Sequence, residues 1–136
     1  KIKIDVVLRD HIEIRSNTFI GEKTQLDSYV AISGEVKVGK NVTLRYGTIL
    51  ARGAVVGDNS YLSPRVMLNN LNQAKQQIGG AKIGKNCFIG THSVLHHGVK
   101  LGNNVTIGSL SFVNKDCKAN RTYAGIPAKE IIRKKK

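Results

Sequence analysis

The sequence predicts an all-β solenoid, a parallel β-helix of about six coils, and three observations predict it. Eighteen aliphatic residues recur at strict intervals of six, twelve from Ile2 and Leu8 to Leu68 and six from Ile83 to Val113. An α-helix repeats near 3.6 residues and a lone strand at 2, so neither gives a period of six, whereas stacked hexapeptides form a parallel β-helix. The residue two before each aliphatic is small or β-branched in the regular coils, as at Thr18, Thr24, Val30 and Val36, or Ala81, Cys87 and Ser93. Positions two apart on a strand share a face, so each unit sends one large and one small side chain into a narrow interior. A period of 18 overlies the six: Gly21, Gly39 and Gly57, then Gly84 and Gly102, with Asn41 and Asn59, then Asn86 and Asn104. Glycine and asparagine accept positive φ at little cost, so these residues are read as a corner repeated once per coil, and three six-residue sides close a triangular prism.

The coils follow in order over about 2–19, 20–37, 38–55, 56–82, 83–100 and 101–118. Asn59 and Asn86 are 27 residues apart, nine more than one coil, so the fourth coil holds a nine-residue insertion. Its polar, off-register stretch from Asn69 to Gln77 predicts a loop that leaves the prism somewhere in 69–82. Long loops on rigid scaffolds often carry function. The β-helix domain is therefore 1–118. The segment 119–136 has lost the period, and Pro127 is expected to open a short C-terminal helix with Ile131 and Ile132 on its packing face.

The 136-residue length suits one domain. No apolar run of 18 or more suggests a membrane-spanning helix, and no signal-peptide pattern opens the chain. The first residue is Lys rather than Met while Ile2 is already in register, so a trimmed amino end or a fragment is expected. Cys87 and Cys117 both occupy the small interior position, which points to buried thiols in a reducing cytoplasm rather than to a nucleophile or a disulfide. The net charge is +13, and seven of the 22 Lys and Arg residues lie from Lys118 onward, where Glu130 is the one acid. Such an end attracts a polyanion or a phosphorylated cofactor. Four Tyr, three Phe and no Trp make a poor stacking platform for single-stranded nucleic acid, which favours the small anion.

The densest polar cluster is Thr91-His92-Ser93-Val94-Leu95-His96-His97-Gly98. The register puts His92 at one corner and His96 with His97 at the next. Two chemistries compete here. A histidine that titrates near neutrality can act as a general base on a hydroxyl or an amine. Alternatively, His92 and His97 have a five-residue spacing also found in γ-class carbonic anhydrases, but a three-histidine zinc site needs a third ligand. The other histidine, His11, lies four coils away, so the metal reading requires a ligand from a second subunit.

The stretch Ile83-Gly-Lys-Asn-Cys-Phe-Ile-Gly-Thr-His-Ser-Val-Leu95 and the following Gly98 to Gly108 resemble hexapeptide-repeat acyltransferases. The ending Tyr123-Ala-Gly-Ile-Pro-Ala-Lys-Glu-Ile-Ile-Arg133 resembles the tail with which that family finishes its cofactor groove. The resemblance implies a left-handed β-helix, an exception to the right-handed crossover rule, and a homotrimer that binds acetyl-CoA between subunits. It implies a small-molecule acceptor, a sugar or nucleotide-linked amino sugar; from composition no membrane partner is expected, and a nucleic-acid role through the basic tail is the least favoured reading. Galactoside acetyltransferases carry Gly-Ser-His in the frame of Gly90-Thr91-His92, which makes His92 the general base. The loop residues Asn69, Asn70 and Asn72 are expected to bond sugar hydroxyls. His96 and His97, standing where many relatives read Asn-Pro, are expected to face the acceptor. Ser109 stands where relatives often have Ala, in the thiol-end groove. Lys115, Lys129 and Arg133 are expected to meet the CoA phosphates, a task for which the guanidinium fork and the lysine point charge both serve. A γ-carbonic-anhydrase-like metalloprotein and a non-catalytic trimeric scaffold are the alternatives.

Overall fold

The computed structural model describes residues 1–76 and 79–132. It is a left-handed parallel β-helix of about six turns. Three parallel sheets form the walls of the prism. The first wall holds Phe19–Ile20, Lys37–Val38, Val55–Val56, Lys82–Ile83 and Lys100–Leu101. The second runs from Val7–Leu8 through Gln25–Leu26, Thr43–Leu44, Tyr61–Leu62 and Phe88–Ile89 to Thr106–Ile107. The third holds Glu13–Ile14, Ala31–Ile32, Ile49–Leu50, Met67–Leu68, Val94–Leu95 and Phe112–Val113. In each strand the second residue is the repeating aliphatic, and from Ile20 to Val113 every one of these is buried.

The small inward position has a second purpose that its size alone does not reveal. Several of its residues carry hydroxyls that bond corner carbonyls, so no polar group is buried unmatched there. Thr24 Oγ1 donates to the Gly39 carbonyl at 2.7 Å and accepts from the Val42 N–H at 3.1 Å. Ser60 Oγ donates to the Gly84 carbonyl at 2.9 Å and accepts from the Cys87 N–H at 3.1 Å. Both thiols are buried and unpaired, as their register predicted. Burial pushes the Cys87 thiol up, and burial followed by the charges of Asp116 and Cys87 pushes Cys117 up to about 11.

The insertion has the predicted length. Tyr61 pairs with Phe88 and Met67 with Val94, both 27 residues on, whereas Gln25 pairs with Thr43 at the ordinary 18. The chain leaves after Leu68 and rejoins at Gly79, whose carbonyl accepts the Gly98 N–H at 3.0 Å. Gln77, the far end of the off-register stretch, lies outside the described residues.

Two expectations need correction. Among the described residues the tail forms no helix. Thr122–Gly125 adds to the second wall beside Thr106–Ile107, and Ala128–Glu130 folds back on it antiparallel. The open edge of the second wall offers unpaired backbone groups to β-prone Thr122 and Tyr123, and a helix would leave that edge unsatisfied. The hairpin also covers the last coil, with Tyr123 and Ala128 packed on the end of the core. The second correction concerns the glycines. Left-handed backbone recurs every six residues, at Asp5, His11, Asn17, Lys23, Tyr29, Glu35 and Asn41, rather than once per coil. Asn59, Asn86 and Asn104 belong to that set, but Gly21, Gly39, Gly57, Gly84 and Gly102 do not. Those glycines exist for close approach. A Cβ on Gly57 would stand 2.5 Å from the Gly84 carbonyl carbon.

Among the described residues no helix is long and apolar enough to cross a membrane.

Candidate active site

The prism has three long edges, and the candidate residues fall on two of them. His92 lies on the edge between the second and third walls, exposed and in left-handed backbone at φ +59°. The corner is fixed from both sides. His92 N–H donates to the Pro64 carbonyl one coil before at 3.1 Å, and Leu110 N–H donates to the Thr91 carbonyl one coil after at 2.8 Å. An exposed imidazole on so rigid a corner can accept a proton from a ligand laid along the edge.

His96 and His97 stand on the next edge, between the third and first walls. Four residues of extended chain separate His92 from His96, about 13 Å at roughly 3.3 Å per residue, so the three histidines do not converge. His96 and His97 touch each other, with ring centroids 3.7 Å apart, and His96 meets the Phe112 ring edge-on at 5.4 Å. Partial burial, then the charge of His97, holds the His96 imidazole below its ordinary value. His97 Nδ1 is buried with no hydrogen-bond partner. These two rings and Asn72, Gln73 and Ala74 of the inserted loop enclose a cleft of about 460 Å³.

The asparagines divide. Asn72 lines this cleft, but its amide holds the loop together: Nδ2 donates to Gln76 Oε1 at 2.8 Å and Oδ1 accepts from the Gln76 N–H at 3.0 Å. Asn69 and Asn70 are half-buried at the loop's departure and do not line the cleft. Asn69 N–H continues the wall by donating to the Leu95 carbonyl at 3.0 Å.

The residues expected to hold the cofactor divide as well. Lys115 and Lys129 line one cleft of about 390 Å³ beneath the hairpin, together with Tyr123, Pro127 and Ala128. Two acids share it, and both are engaged. Asp116 accepts the Lys100 N–H at 2.9 Å, and Glu130 pairs with Arg121 at 2.8 Å. Ser109 is elsewhere, on the edge of His92, packed so closely over Gly90 that a Cβ there would stand 2.7 Å from Ser109 Cα. The tip of the hairpin reaches the same edge, where Gly125 N–H donates to Ser111 Oγ at 3.1 Å. Arg133 lies outside the described residues.

Among the described residues no group of three or more His, Cys, Asp or Glu is gathered to hold a metal ion. His11 stacks on Tyr29 with centroids 5.0 Å apart, well down the prism from His92. It heads a pile that the sequence reading missed. Tyr29 meets Tyr46 at 5.4 Å, and the Arg65 guanidinium lies over Tyr46 at 5.5 Å. The signal was present in the register, since 11, 29, 65 and 92 occupy one corner once the nine-residue insertion is removed.

Residues 80–115 match the model of the bacterial transferase hexapeptide family, described as six repeats. The chain is 33% identical over 111 residues to a dTDP-4-amino-4,6-dideoxy-D-glucose acyltransferase of Escherichia coli, covering 79% of this chain and 56% of that protein. It is 27% identical over 125 residues to the galactoside O-acetyltransferase of Escherichia coli K12, covering 82% of this chain and 62% of that one. The chain thus spans less than two thirds of either relative. Among solved structures, it resembles a variant of AntD, an N-acyltransferase from Bacillus cereus, in complex with dTDP-4-amino-4,6-dideoxyglucose and coenzyme A. The TM-score is 0.80 at 18% identity, over 99% of this chain and 83% of that one, a likeness of fold.

Proposed function

We propose that this chain, which belongs to the hexapeptide-repeat family, is an acyl-CoA-dependent acetyltransferase that moves an acetyl group to a hydroxyl or amine of a sugar or nucleotide-linked amino sugar, with His92 as the general base. The observation that carries this reading is the edge itself. His92 is an exposed imidazole on a fixed corner, one coil below Ser109 and the hairpin tip, within the segment that matches the family model. The matched relatives are named as acyltransferases of sugars, one of them nucleotide-linked.

An imidazole nitrogen of His92 takes the proton from the acceptor oxygen or nitrogen as that atom attacks the thioester carbonyl. The tetrahedral intermediate collapses, the C–S bond breaks, and the imidazolium returns the proton to the departing CoA thiolate. Ser109 and the hairpin tip flank the thioester end. Lys115 and Lys129 face the phosphates from their shared cleft, and Arg133 of the basic tail is assigned the same task. The cleft of His96, His97 and Asn72 takes part of the acceptor, and the orphaned His97 Nδ1 is a group that a ligand hydroxyl can satisfy. Asn69 and Asn70 shape the departure of that loop.

We assign the working form as a homotrimer. The outward face of the third wall carries Ala31, Ile49, Met67, Val94 and Phe112 in one continuous column. Such a stripe is suited to cover by a second copy, which would bring a neighbouring prism beside the His92 edge. The two unpaired buried thiols fit a reducing cytoplasm.

Two measurements test the reading. Acetyl-CoA at about 100 times its dissociation constant should stabilise the protein by roughly 2.7 kcal/mol, and no thermal shift at saturating ligand would refute it. Replacing His92 by Ala should lower turnover roughly 10²–10⁴-fold with cofactor binding retained. Undiminished turnover would remove His92 from the mechanism.

A further inference from the structure

We infer that Arg65 is the anion-binding residue of the acceptor subsite: it takes the phosphates of a nucleoside-diphosphate-linked sugar and so sets the sugar against His92. This rests on the acyltransferase reading above and narrows it to phosphate-bearing acceptors. Position is the first argument. Arg65 occupies the same corner as His92 one coil earlier, the two turns being joined by the His92 N–H to Pro64 carbonyl bond. Adjacent coils are about 4.8 Å apart, so a ligand lying along the edge meets both residues within the width of a sugar ring.

The state of the guanidinium is the second argument. The ion pairs among the described residues engage Arg15, Arg45, Arg52 and Arg121, each with a carboxylate. Arg65, like Arg9, is in none of them. It lies instead over the ring of Tyr46. A cation–π contact orients a guanidinium without using its N–H edge, which stays free to grip two phosphate oxygens. Tyr46 is itself backed by Tyr29 and His11, so the cation rests on a pile of three rings.

The third argument is backbone strain. His11, Tyr29, Arg65 and His92 sit at φ +56°, +63°, +63° and +59°. On the edge between the first and second walls, Asn41, Asn59, Asn86 and Asn104 fill four of the equivalent corners, with Asp5 and Lys23 at two others, and asparagine tolerates that conformation best after glycine. Apart from Gly47, the His92 edge keeps bulky side chains at corners unfavourable to them, a pattern that accompanies binding sites. A diphosphate lying along this edge would engage the N–H edge of Arg65 that the Tyr46 ring leaves free.

The test is calorimetric titration of dTDP, UDP and GDP, each against its nucleoside, with the cofactor groove filled by CoA so that the nucleotides cannot enter it. The wild type should bind at least one diphosphate about 10- to 100-fold more tightly than its nucleoside, and Arg65→Ala should abolish that preference. Arg65→Lys should restore part of it. Tyr46→Ala should weaken it with the charge still present, because the guanidinium loses its prop. Nucleoside affinity, CoA affinity and melting temperature should stay the same in Arg65→Ala. Equal binding of diphosphate and nucleoside by the wild type overturns the inference, as does diphosphate binding that survives Arg65→Ala. Failure of the wild type to bind CoA overturns the acyltransferase reading and this inference with it, whereas CoA binding with an indifferent Arg65 overturns this inference alone.

Discussion

Replacing Gly57 by Ala should pry apart the fourth and fifth coils. The added methyl would stand 2.5 Å from the carbonyl carbon and oxygen of Gly84 and 2.7 Å from the Lys85 nitrogen. Carbon atoms normally rest about 3.5–4.0 Å apart, so the two backbones must separate by about 1 Å. Neither side is a flexible side-chain end that could swing away. Ladder bonds cross this gap from Gly57 N–H to Ile83 at 2.8 Å, from Tyr61 N–H to Cys87 at 2.8 Å and from Asn86 N–H to Asp58 at 2.9 Å. A 1 Å opening carries all three past the roughly 3.2 Å limit of a good N–H···O bond. At about 1 kcal/mol net for each, the loss is about 3 kcal/mol. Alanine also restricts the unfolded chain, which returns about 0.4–1 kcal/mol and leaves a net destabilisation of about 2 kcal/mol. Urea unfolding measures this as a lowered midpoint at unchanged slope. Gly47→Ala is the comparison. Gly47 has φ +70°, but a Cβ there would meet only Arg65 Cγ, at 3.4 Å. Its cost should be about 1 kcal/mol, from backbone conformation alone. If Gly57→Ala costs no more than Gly47→Ala, close approach is not what the 18-residue glycines provide.

Two further outcomes follow from titratable groups. The His96 imidazole is held below its ordinary 6.5, so the fold favours its neutral form. That contribution is present above the ordinary value and is lost as pH falls through the depressed one. The urea midpoint should therefore drop on acidification below about pH 6.5, and less steeply in His96→Gln; identical profiles would show that His96 is not the group concerned. For the thiols, burial predicts that neither Cys87 nor Cys117 is alkylated at an appreciable rate by iodoacetamide at mildly alkaline pH in the native protein, and that both react rapidly in urea. Fast native labelling of Cys87 would contradict its place inside the prism.

The walls were legible because their signal is local. Leu26, Ile32 and Val38 face inward for reasons contained within a few neighbouring residues, and few folds besides a β-helix repeat every six residues. The inserted loop was legible by subtraction, since Asn59 and Asn86 keep register on either side of it. The tail was not, because Thr122 to Glu130 takes its structure from an edge supplied by Thr106 and Ile107, and no local pattern announces that partner. The 18-residue glycines were found but given the wrong purpose. A sequence shows which residue lacks a Cβ, but the reason lies in the coil stacked against it. The site was half legible. His92 at an exposed corner followed from its offset after Ile89, but the pile of His11, Tyr29, Tyr46 and Arg65 appears only when corners of successive coils are set one above another across the insertion.

The insertion has a consequence for how such a chain can change. Each ordinary rung of the prism closes a circuit of 18 residues, and the rungs that span the insertion close one of 27. Closure entropy grows only with the logarithm of length, so the longer circuit costs about 0.4 kcal/mol more. One residue added inside a wall strand would instead turn its inward side chain outward and spoil the register. The chain is therefore nearly indifferent to length at one corner and intolerant of it along its walls. That corner lies against His96 and His97, so the loop over this cleft can be lengthened, shortened or rewritten while the prism beneath it stays the same.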